Sequence, residues 1–222
     1  MSKKFKVLFV SLFLIIASVG AVAIFFGQQL LKESAGTDTT EVVFEVSPGT
    51  TLTQIASSLQ DKGLIRNSKT FQIYAKFKGL ASRFKVGEYS LNQTMTPDEI
   101  MNVIVSGKSI ARNITIPEGY NLFDIAEIFE KNKIGTREEF FKLVYDKAFV
   151  KSLLNEELSS LEGYLFPETY KVTKYEGVKA ILTQMVNRFL TVWREEVEPK
   201  MQNVNWTRAQ ILTFASIVEK ET

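Results

Sequence analysis

The sequence predicts an α+β fold in three parts: an N-terminal transmembrane helix, a small strand-helix-helix-strand module, and a mainly helical α+β domain. Three observations predict it. An uncharged apolar run opens the chain, a strand-and-helix pattern occurs twice at a constant spacing, and amphipathic helical segments fill the remainder. Hydrophobic residues make up 45% of the chain and aromatic residues 12%, which is enough to form packed cores.

The N-terminal residues predict a membrane anchor. Residues 1–6 carry three lysines, and residues 7–27 form an uncharged apolar run, which as a helix spans about 30 Å of hydrocarbon. The lysines favour a cytoplasmic N-terminus, so we expect a single-pass anchor in the cytoplasmic membrane with the rest of the chain outside the cytoplasm. The alternative is a cleaved signal peptide, because residues 21–23 (AVA) resemble a cleavage site. The apolar run continues through Phe26, which favours the anchor.

An internal repeat follows a polar linker at residues 28–40. In each copy, alternating apolar residues predict a short strand, a glycine predicts a turn, and the apolar spacing after it predicts one face of a helix. The copies match at a constant offset of 70, and the paired positions are Phe44/Ile114, Val46/Ile116, Gly49/Gly119, Leu52/Leu122, Ile55/Ile125, Ala56/Ala126, Leu59/Phe129, Leu64/Ile134 and Phe71/Phe141.

Capping residues predict where the helices begin. In a capping box, the N-cap side chain and the side chain three residues on each accept the other residue's backbone N–H. The predicted boxes are Thr51 with Gln54, Thr96 with Glu99, and Asn121 with Asp124, and the second helix of each copy begins at Ser68 and at Thr136. Residues 41–110 therefore form a small module that ends with a strand and a helix.

Residues 111–222 form the third part of the chain. We expect a long amphipathic helix from Gly177 that is stopped by Pro199, and a last helix that Thr207 opens. Between the repeat and these helices lies the segment LEGYLFPETY, residues 161–170, which we interpret as a loop dense in aromatic and carboxylate side chains.

The residue types that the chain lacks narrow the chemistry. With no cysteine and no histidine, thiol nucleophiles, disulfides, Ser-His-Asp triads and the commonest metal ligand are all excluded. Carboxylates remain the main acid–base groups, and no motif indicates a metal or a cofactor. The net charge of +2 gives no support for nucleic-acid binding.

Glu219 is the candidate acid–base residue. In the last helix, Ile211, Phe214, Ala215 and Val218 form an apolar stripe, and Glu219 lies on its flank. A carboxyl group that loses hydration beside apolar side chains keeps its proton more readily, as a general acid must. The alternative is a boundary glutamate whose stem packs on the core while its carboxylate reaches solvent.

The 161–170 segment supplies the candidate binding residues. Its aromatic faces and polar groups could line a sugar groove, because loops held by a scaffold often carry binding residues. The candidates are Glu162, Tyr164, Glu168, Thr169 and Tyr170. The alternative is a structural loop that is fixed by proline and pinned by its aromatic side chains.

Taken in order, the motifs resemble those of the YceG-like endolytic murein transglycosylases. The motifs are SPGTTLTQIASSL, VGEYSL with MTPDEIMNVIVSGK, ITIPEGYNLFDIA, LEGYLFPETY and ASIVEKET, after a basic N-terminus and one anchor. The resemblance implies a LysM-like module at residues 41–110 and the N-terminal part of a transglycosylase catalytic domain at residues 111–222. It also implies that Glu219, the first glutamate of VEKET, is catalytic.

The resemblance further implies a substrate, partners and a location. Such enzymes lie in the cytoplasmic membrane, face the cell wall, and act on peptidoglycan close to the cell-wall synthesis machinery. They cleave the MurNAc-GlcNAc β-1,4 bond in nascent glycan strands and leave a 1,6-anhydroMurNAc end, with no metal or cofactor.

The end of the sequence adds one expectation. The catalytic domain of the family continues past the glutamate motif, and no helix-ending signal precedes Thr222, so we expect a chain that is truncated at its C-terminus. A non-catalytic peptidoglycan-binding or division scaffold is the alternative function, and a plain hydrolase is a third.

Overall fold

A computed structural model describes residues 33–201 and 205–221. The predicted anchor at residues 7–27 lies outside these ranges. Within them, the structure has no helix that is both long enough and apolar enough to cross a bilayer. The chain divides into two compact units, of which the first ends at Ile110 and the second begins at Ala111.

The first unit is built on a two-stranded antiparallel sheet. Its elements are β1 (Val42–Val46), α1 (Leu52–Asp61), α2 (Ser68–Phe77), β2 (Gly87–Leu91) and α3 (Pro97–Ser106). β1 pairs with β2, and Phe44 lies opposite Tyr89 in the register. Alternate β1 residues, Phe44 and Val46, are buried, because successive side chains of a strand point to opposite faces.

The predicted capping boxes of the first unit are confirmed. The Thr51 side chain accepts from the Gln54 N–H, and the Gln54 side chain accepts from the Thr51 N–H. Thr96 and Glu99 form the same pair of bonds at the start of α3, where Pro97 occupies the first turn. Each satisfied cap stabilises its helix by about 1 kcal/mol.

The helices and strands of the first unit enclose one apolar core. Each large side chain buried there contributes about 1.5–3 kcal/mol relative to exposure to water. The core residues are Phe44, Val46, Ile55, Ala56, Leu59, Leu64, Ile65, Phe71, Ala75, Tyr89, Leu91, Ile100, Met101 and Ile104.

The second unit has a separate sheet and more helices. Its elements are β3 (Ala111–Thr115), α4 (Leu122–Lys131), α5 (Arg137–Val144), α6 (Lys147–Leu154), β4 (Thr169–Thr173), α7 (Gly177–Val192) and α8 (Arg208–Glu221). β3 pairs antiparallel with β4, and Ile114 lies opposite Tyr170. The capping box predicted for Asn121 and Asp124 opens α4 and is confirmed.

The long helix α7 ends earlier than the sequence predicted. A π-helical turn at Trp193–Val197 and a 3-10 turn at Glu198–Met201 follow it. In the π turn, the Glu198 N–H donates to the carbonyl of Trp193, five residues back. Pro199 has no N–H to donate, and its ring clashes with the helical carbonyl before it, so the hydrogen-bond pattern changes over the preceding turn.

Each unit begins with a strand and two helices and pairs that strand with a later one, but the second unit has a third helix, α6, before its second strand. The offset between the copies also changes, which the sequence did not indicate. Helices α1 and α4 keep the offset of 70. The connection to the next helix is one residue shorter in the second unit, since the N-caps are Asn67 and Thr136. The buried Phe71 therefore corresponds to the buried Phe140, and the pairing of Phe71 with Phe141 was wrong by one position.

Candidate functional site

The second unit contains an open groove with a volume of about 1160 Å³. Three segments form its walls: the turn before α4, the 158–167 loop before β4, and one face of α8. The lining residues include Pro117, Glu118, Gly119, Tyr120, Asn121, Ser159, Ser160, Glu162, Gly163, Tyr164, Leu212, Thr213, Ser216, Ile217, Glu219 and Glu221. A groove of this size and openness can accept part of an extended polymer.

Glu219 lies against the turn that precedes α4. Gly119 has φ +75°, and a Cβ atom placed on it would be 3.3 Å from Glu219 Oε1. The corresponding glycine of the first unit, Gly49, has φ +79° and no atom within 4 Å of such a Cβ. The same turn is therefore kept in both units, but only the second unit places a carboxylate beside it.

The apolar stripe predicted for α8 does not provide the surroundings that we expected for Glu219. Phe214 and Val218 are 55% and 46% exposed, respectively, and Ala215 and the Glu219 side chain are exposed as well. Of the predicted stripe, only Ile211 packs against the core of the second unit. The sequence periodicity shows that these residues share a face, but not which residues cover that face.

Arg208, in the first turn of α8, attaches the helix to the rest of the second unit. Its Nη1 atom lies 3.1 Å from Glu156 Oε1, and its guanidinium carbon lies 5.3 Å from the centre of the Trp193 ring. The Nε and Nη1 atoms are inaccessible to water and make no hydrogen bond within the described part of the chain. The attachment is thus an ion pair combined with a cation–π contact.

Replacing Arg208 with glutamine should loosen α8. We expect a loss of about 1 kcal/mol in the free energy of attachment, because the ion pair and the cation–π contact are both removed. Hydrogen exchange should then become faster at the α8 amides. Arg188→Gln is the matched control, since Arg188 also pairs with a carboxylate (Glu168, 2.8 Å) and covers a ring (Phe166, 5.5 Å). Equal hydrogen exchange at the α8 amides of the two variants would contradict the role of Arg208 in attaching α8.

Two of the five candidate binding residues line the groove. The Glu162 side chain is exposed at its wall. Tyr164 is only 4% exposed and packs its ring edge-to-face on Phe189. Burial raises the pKa of Tyr164, the Glu156 carboxylate raises it further, and Arg208 opposes them. Tyr164 therefore lines the groove, as the binding interpretation of the loop expected. It also pins the loop through its packing on Phe189, as the structural alternative expected.

Glu168, Thr169 and Tyr170 are not among the residues that line the groove. Glu168 accepts a hydrogen bond from Arg188 Nε at 2.8 Å, and the Thr169 hydroxyl lies 2.8 Å from that of Thr115 on β3. Thr169 and Tyr170 belong to strand β4 rather than to a loop, which corrects the interpretation of residues 161–170 as one loop. The alternation of buried Tyr170 and Val172 is the strand signal in the sequence.

Tyr170 has the same structural role as Tyr89 in the first unit. The Tyr170 hydroxyl donates to the Phe166 carbonyl at 2.6 Å, and the Tyr89 hydroxyl donates to the Lys85 carbonyl at 2.8 Å. In each case a buried ring on the second strand of the sheet ties down the loop that enters that strand. Burial is the largest cause that raises the pKa of Tyr170, and Glu168 raises it further.

Replacing Tyr170 with phenylalanine should lower stability. Loss of the hydroxyl leaves a carbonyl without its donor, which costs about 1 kcal/mol. Because the folded pKa is raised above the unfolded value of about 10, the unfolded chain binds fewer protons, and stability falls as pH rises above that value. The variant should show a smaller alkaline loss in chemical denaturation. An equal alkaline loss in both proteins would contradict this role.

The sequence-based interpretation missed two groove residues, Glu118 and Tyr120. Both lie in the turn that contains Gly119, and both line the groove. The first unit has Pro48 and Thr50 at these positions. Divergence between the copies, within a turn that is otherwise kept, is the signal that could have identified them.

Similarity to known proteins identifies the family of the chain. A model of the YceG-like family matches residues 44–222. The chain belongs to the YceG-like family. The match includes most of the first unit, all of the groove walls and Glu219.

Three similar proteins illustrate the family. An endolytic murein transglycosylase of Bacillus subtilis is 31% identical over 218 residues, which are 90% of this chain and 59% of that protein. One from Streptococcus pneumoniae is 26% identical over 245 residues, with 96% and 44% covered. The chain thus spans about half the length of these relatives. A crystal structure of a YceG-like protein from Listeria monocytogenes is 27% identical, with a TM-score of 0.41 and coverage of 83% of this chain and 66% of that chain.

Proposed function

We propose that this chain is an endolytic peptidoglycan lytic transglycosylase. It cleaves the β-1,4 bond between MurNAc and GlcNAc inside nascent glycan strands and leaves 1,6-anhydroMurNAc ends, which limits strand elongation. The observation that carries the proposal is the groove of the second unit, in which Glu219 lies beside the turn of the repeated scaffold. Membership of the YceG-like family and the names of the two curated relatives support the same activity.

One carboxyl group is sufficient for this reaction. The protonated Glu219 carboxyl donates its proton to the glycosidic oxygen, and the bond from that oxygen to C1 of MurNAc breaks. The 6-hydroxyl of the same sugar bonds to C1, and the Glu219 carboxylate accepts the hydroxyl proton. The carboxyl group ends in its starting form, and no water enters the product. A second, nucleophilic carboxylate of the type found in retaining hydrolases is not required.

The shape of the groove supports cleavage within a strand. Its walls come from a turn, a loop and a helix, and it is open rather than enclosed. An open groove allows a strand to enter sideways, so that sugars extend beyond the site in both directions. The exposed side chains of Glu118, Tyr120 and Glu162 on its walls can contact hydroxyl and amide groups of the sugars.

We also propose the location that the sequence predicts. Residues 7–27 form a single membrane anchor with the N-terminus inside, and the two units lie outside the cytoplasm, where new glycan strands emerge. The uncharged run and the lysines before it support this arrangement. The cell-wall synthesis machinery is then a neighbour of the enzyme.

Product analysis tests the activity. Purified chain is incubated with uncrosslinked glycan strands, and the ends of the products are identified by mass spectrometry. We expect 1,6-anhydroMurNAc ends on internal fragments of many lengths. Reducing ends alone would indicate a hydrolase, and binding to the strands without any new ends would indicate a scaffold; either result would overturn the proposal.

A further inference from the structure

The second unit presents a row of aromatic rings on the outer surface of α4 and α5. We call Phe123, Phe141 and Tyr145 the aromatic strip. The ring centres of Phe123 and Phe141 are 5.0 Å apart, and those of Phe141 and Tyr145 are 6.2 Å apart, with the latter two planes within 14° of parallel. Phe123 is 60% exposed and Tyr145 is 50% exposed. Contiguous exposed aromatic rings are a candidate interaction surface.

The first unit shows that the fold does not require these rings. By the offsets of the two helix pairs, Phe123 corresponds to Thr53 and Phe141 corresponds to Gln72. The burial of each pair is alike, because Phe123 and Thr53 are exposed while Phe141 and Gln72 are half-buried. In the first unit the two side chains form a hydrogen bond of 3.1 Å. The same helix–helix surface is therefore stable with polar residues, and the rings of the second unit are available for another purpose.

The aromatic strip begins two residues after the groove wall. Tyr120 and Asn121 line the groove, and Asn121 is the N-cap of α4, the helix that carries Phe123. The Asn121 Oδ1 atom accepts from the Phe123 N–H at 2.8 Å, which fixes Phe123 one helical turn or less from the groove wall. A strand that extends from the groove toward α4 would come near Phe123, whose ring contacts Phe141 and through it Tyr145.

Charged residues bound the aromatic strip on its helices. Glu127, one turn after Phe123, is exposed and pairs with Lys131 at 2.6 Å. Glu138, one turn before Phe141, is exposed as well. The strip is therefore a narrow row, whereas a stable protein interface is a broader patch with an apolar centre. A narrow row of rings fits a linear chain of pyranose rings, whose C–H faces pack on aromatic planes while their hydroxyls stay in water.

From this geometry we propose that the aromatic strip is a binding subsite for the glycan strand outside the cleavage groove. The inference rests on the proposed function, because it uses the same substrate. The strip holds sugars that are remote from Glu219 and so keeps the strand in the groove between cleavage events. Its contacts are to the sugar backbone rather than to the peptide stems of peptidoglycan.

The test exchanges the strip for the residues of the first unit. The double variant Phe123→Thr and Phe141→Gln installs a side-chain pair that the chain already tolerates at the same positions. The control variant, Ile73→Lys with Phe77→Asp, removes an exposed apolar pair (69% and 66% exposed) from the first unit. Binding is measured by cosedimentation with glycan strands stripped of their peptides, in full chains that also carry Glu219→Gln so that no strand is cut.

We expect the strip variant to bind the strands roughly tenfold more weakly, while the control variant binds normally. The strip variant should remain folded by circular dichroism, with a lower melting temperature because the half-buried Phe141 ring packs on the core. With Glu219 restored, the strip variant should cut long strands more slowly but give the same anhydro ends.

Normal strand binding by the strip variant would show that the aromatic strip is not a binding subsite. The proposed activity would still stand if Glu219→Gln alone stops cleavage. Normal glycan binding with loss of a protein partner would overturn the subsite in favour of a protein interface. Absence of both binding and cleavage in the unaltered chain would overturn the proposed function and the subsite together.

Discussion

Replacing Glu219 with glutamine should reduce the formation of 1,6-anhydroMurNAc ends by at least about a hundredfold, because an amide can neither donate the proton to the glycosidic oxygen nor accept it from the 6-hydroxyl. The substitution keeps the size of the side chain at an exposed position, although the amide nitrogen donates hydrogen bonds where a carboxylate oxygen accepts them. We therefore expect the melting temperature and the binding of glycan strands to stay unchanged. Quantifying the anhydro ends on uncrosslinked strands measures the effect.

Glu127→Gln is the matched control for this prediction. Glu127 is an exposed carboxylate on α4 of the same unit, and its partner is Lys131 on the outer surface rather than the groove. The control should keep full activity, although it loses one surface ion pair worth at most about 1 kcal/mol. If Glu219→Gln retained the rate of the control, another group would have to supply the proton, and the assignment of Glu219 would be wrong.

Replacing Gly119 with alanine should lower both the free energy of unfolding and kcat. At φ +75° any L side chain is strained, and the left-handed conformation costs about 1–2 kcal/mol. The added Cβ would also lie 3.3 Å from Glu219 Oε1, so the carboxylate must shift by a few tenths of an ångström. Because displacement of a reacting group is costly to rate, we expect a roughly tenfold lower kcat with little change in KM.

The first unit supplies the control for Gly119. Gly49 has φ +79°, and a Cβ there would meet no atom within 4 Å. Gly49→Ala should therefore cost a similar free energy of unfolding in its own unit and leave kcat unchanged. Denaturant unfolding and cleavage kinetics on both variants make the comparison. Equal kcat values would show that the turn shapes the scaffold but does not position Glu219.

Local signals in the sequence predicted much of the fold. A capping box and an amphipathic face are encoded within a few residues, so the starts of α1, α3 and α4 are confirmed where Thr51, Thr96 and Asn121 predicted them. Strand β4 was missed because its partner β3 is more than fifty residues away, and a short alternation next to an aromatic loop is ambiguous. The one-residue change of offset before α5 was also missed, because the offset of 70 pairs Phe71 with Phe141 and the adjacent Phe140 makes a shift of one residue invisible in the sequence.

The sequence indicated a candidate acid–base group, because few residue types in this chain can do that chemistry. It did not indicate the roles of residues that depend on long-range packing. In a chain without histidine or cysteine, a carboxylate was the expected acid–base group, and Glu219 does lie in a groove. The roles of Glu168 and Tyr170 depended instead on the long-range partners Arg188 and the Phe166 carbonyl. No local pattern shows that a glutamate will pair with an arginine on a later helix.

The duplicated scaffold and the helix that carries Glu219 are separate parts of the second unit. A strand followed by two helices occurs in both units, but α8 has no counterpart in the described part of the first unit and is attached through Arg208, Ile211 and Leu212. Under the proposed function, the repeated scaffold and the helix that supplies the acid–base group are distinct elements. Substitutions that alter how α8 is attached should therefore change cleavage without unfolding the repeated scaffold.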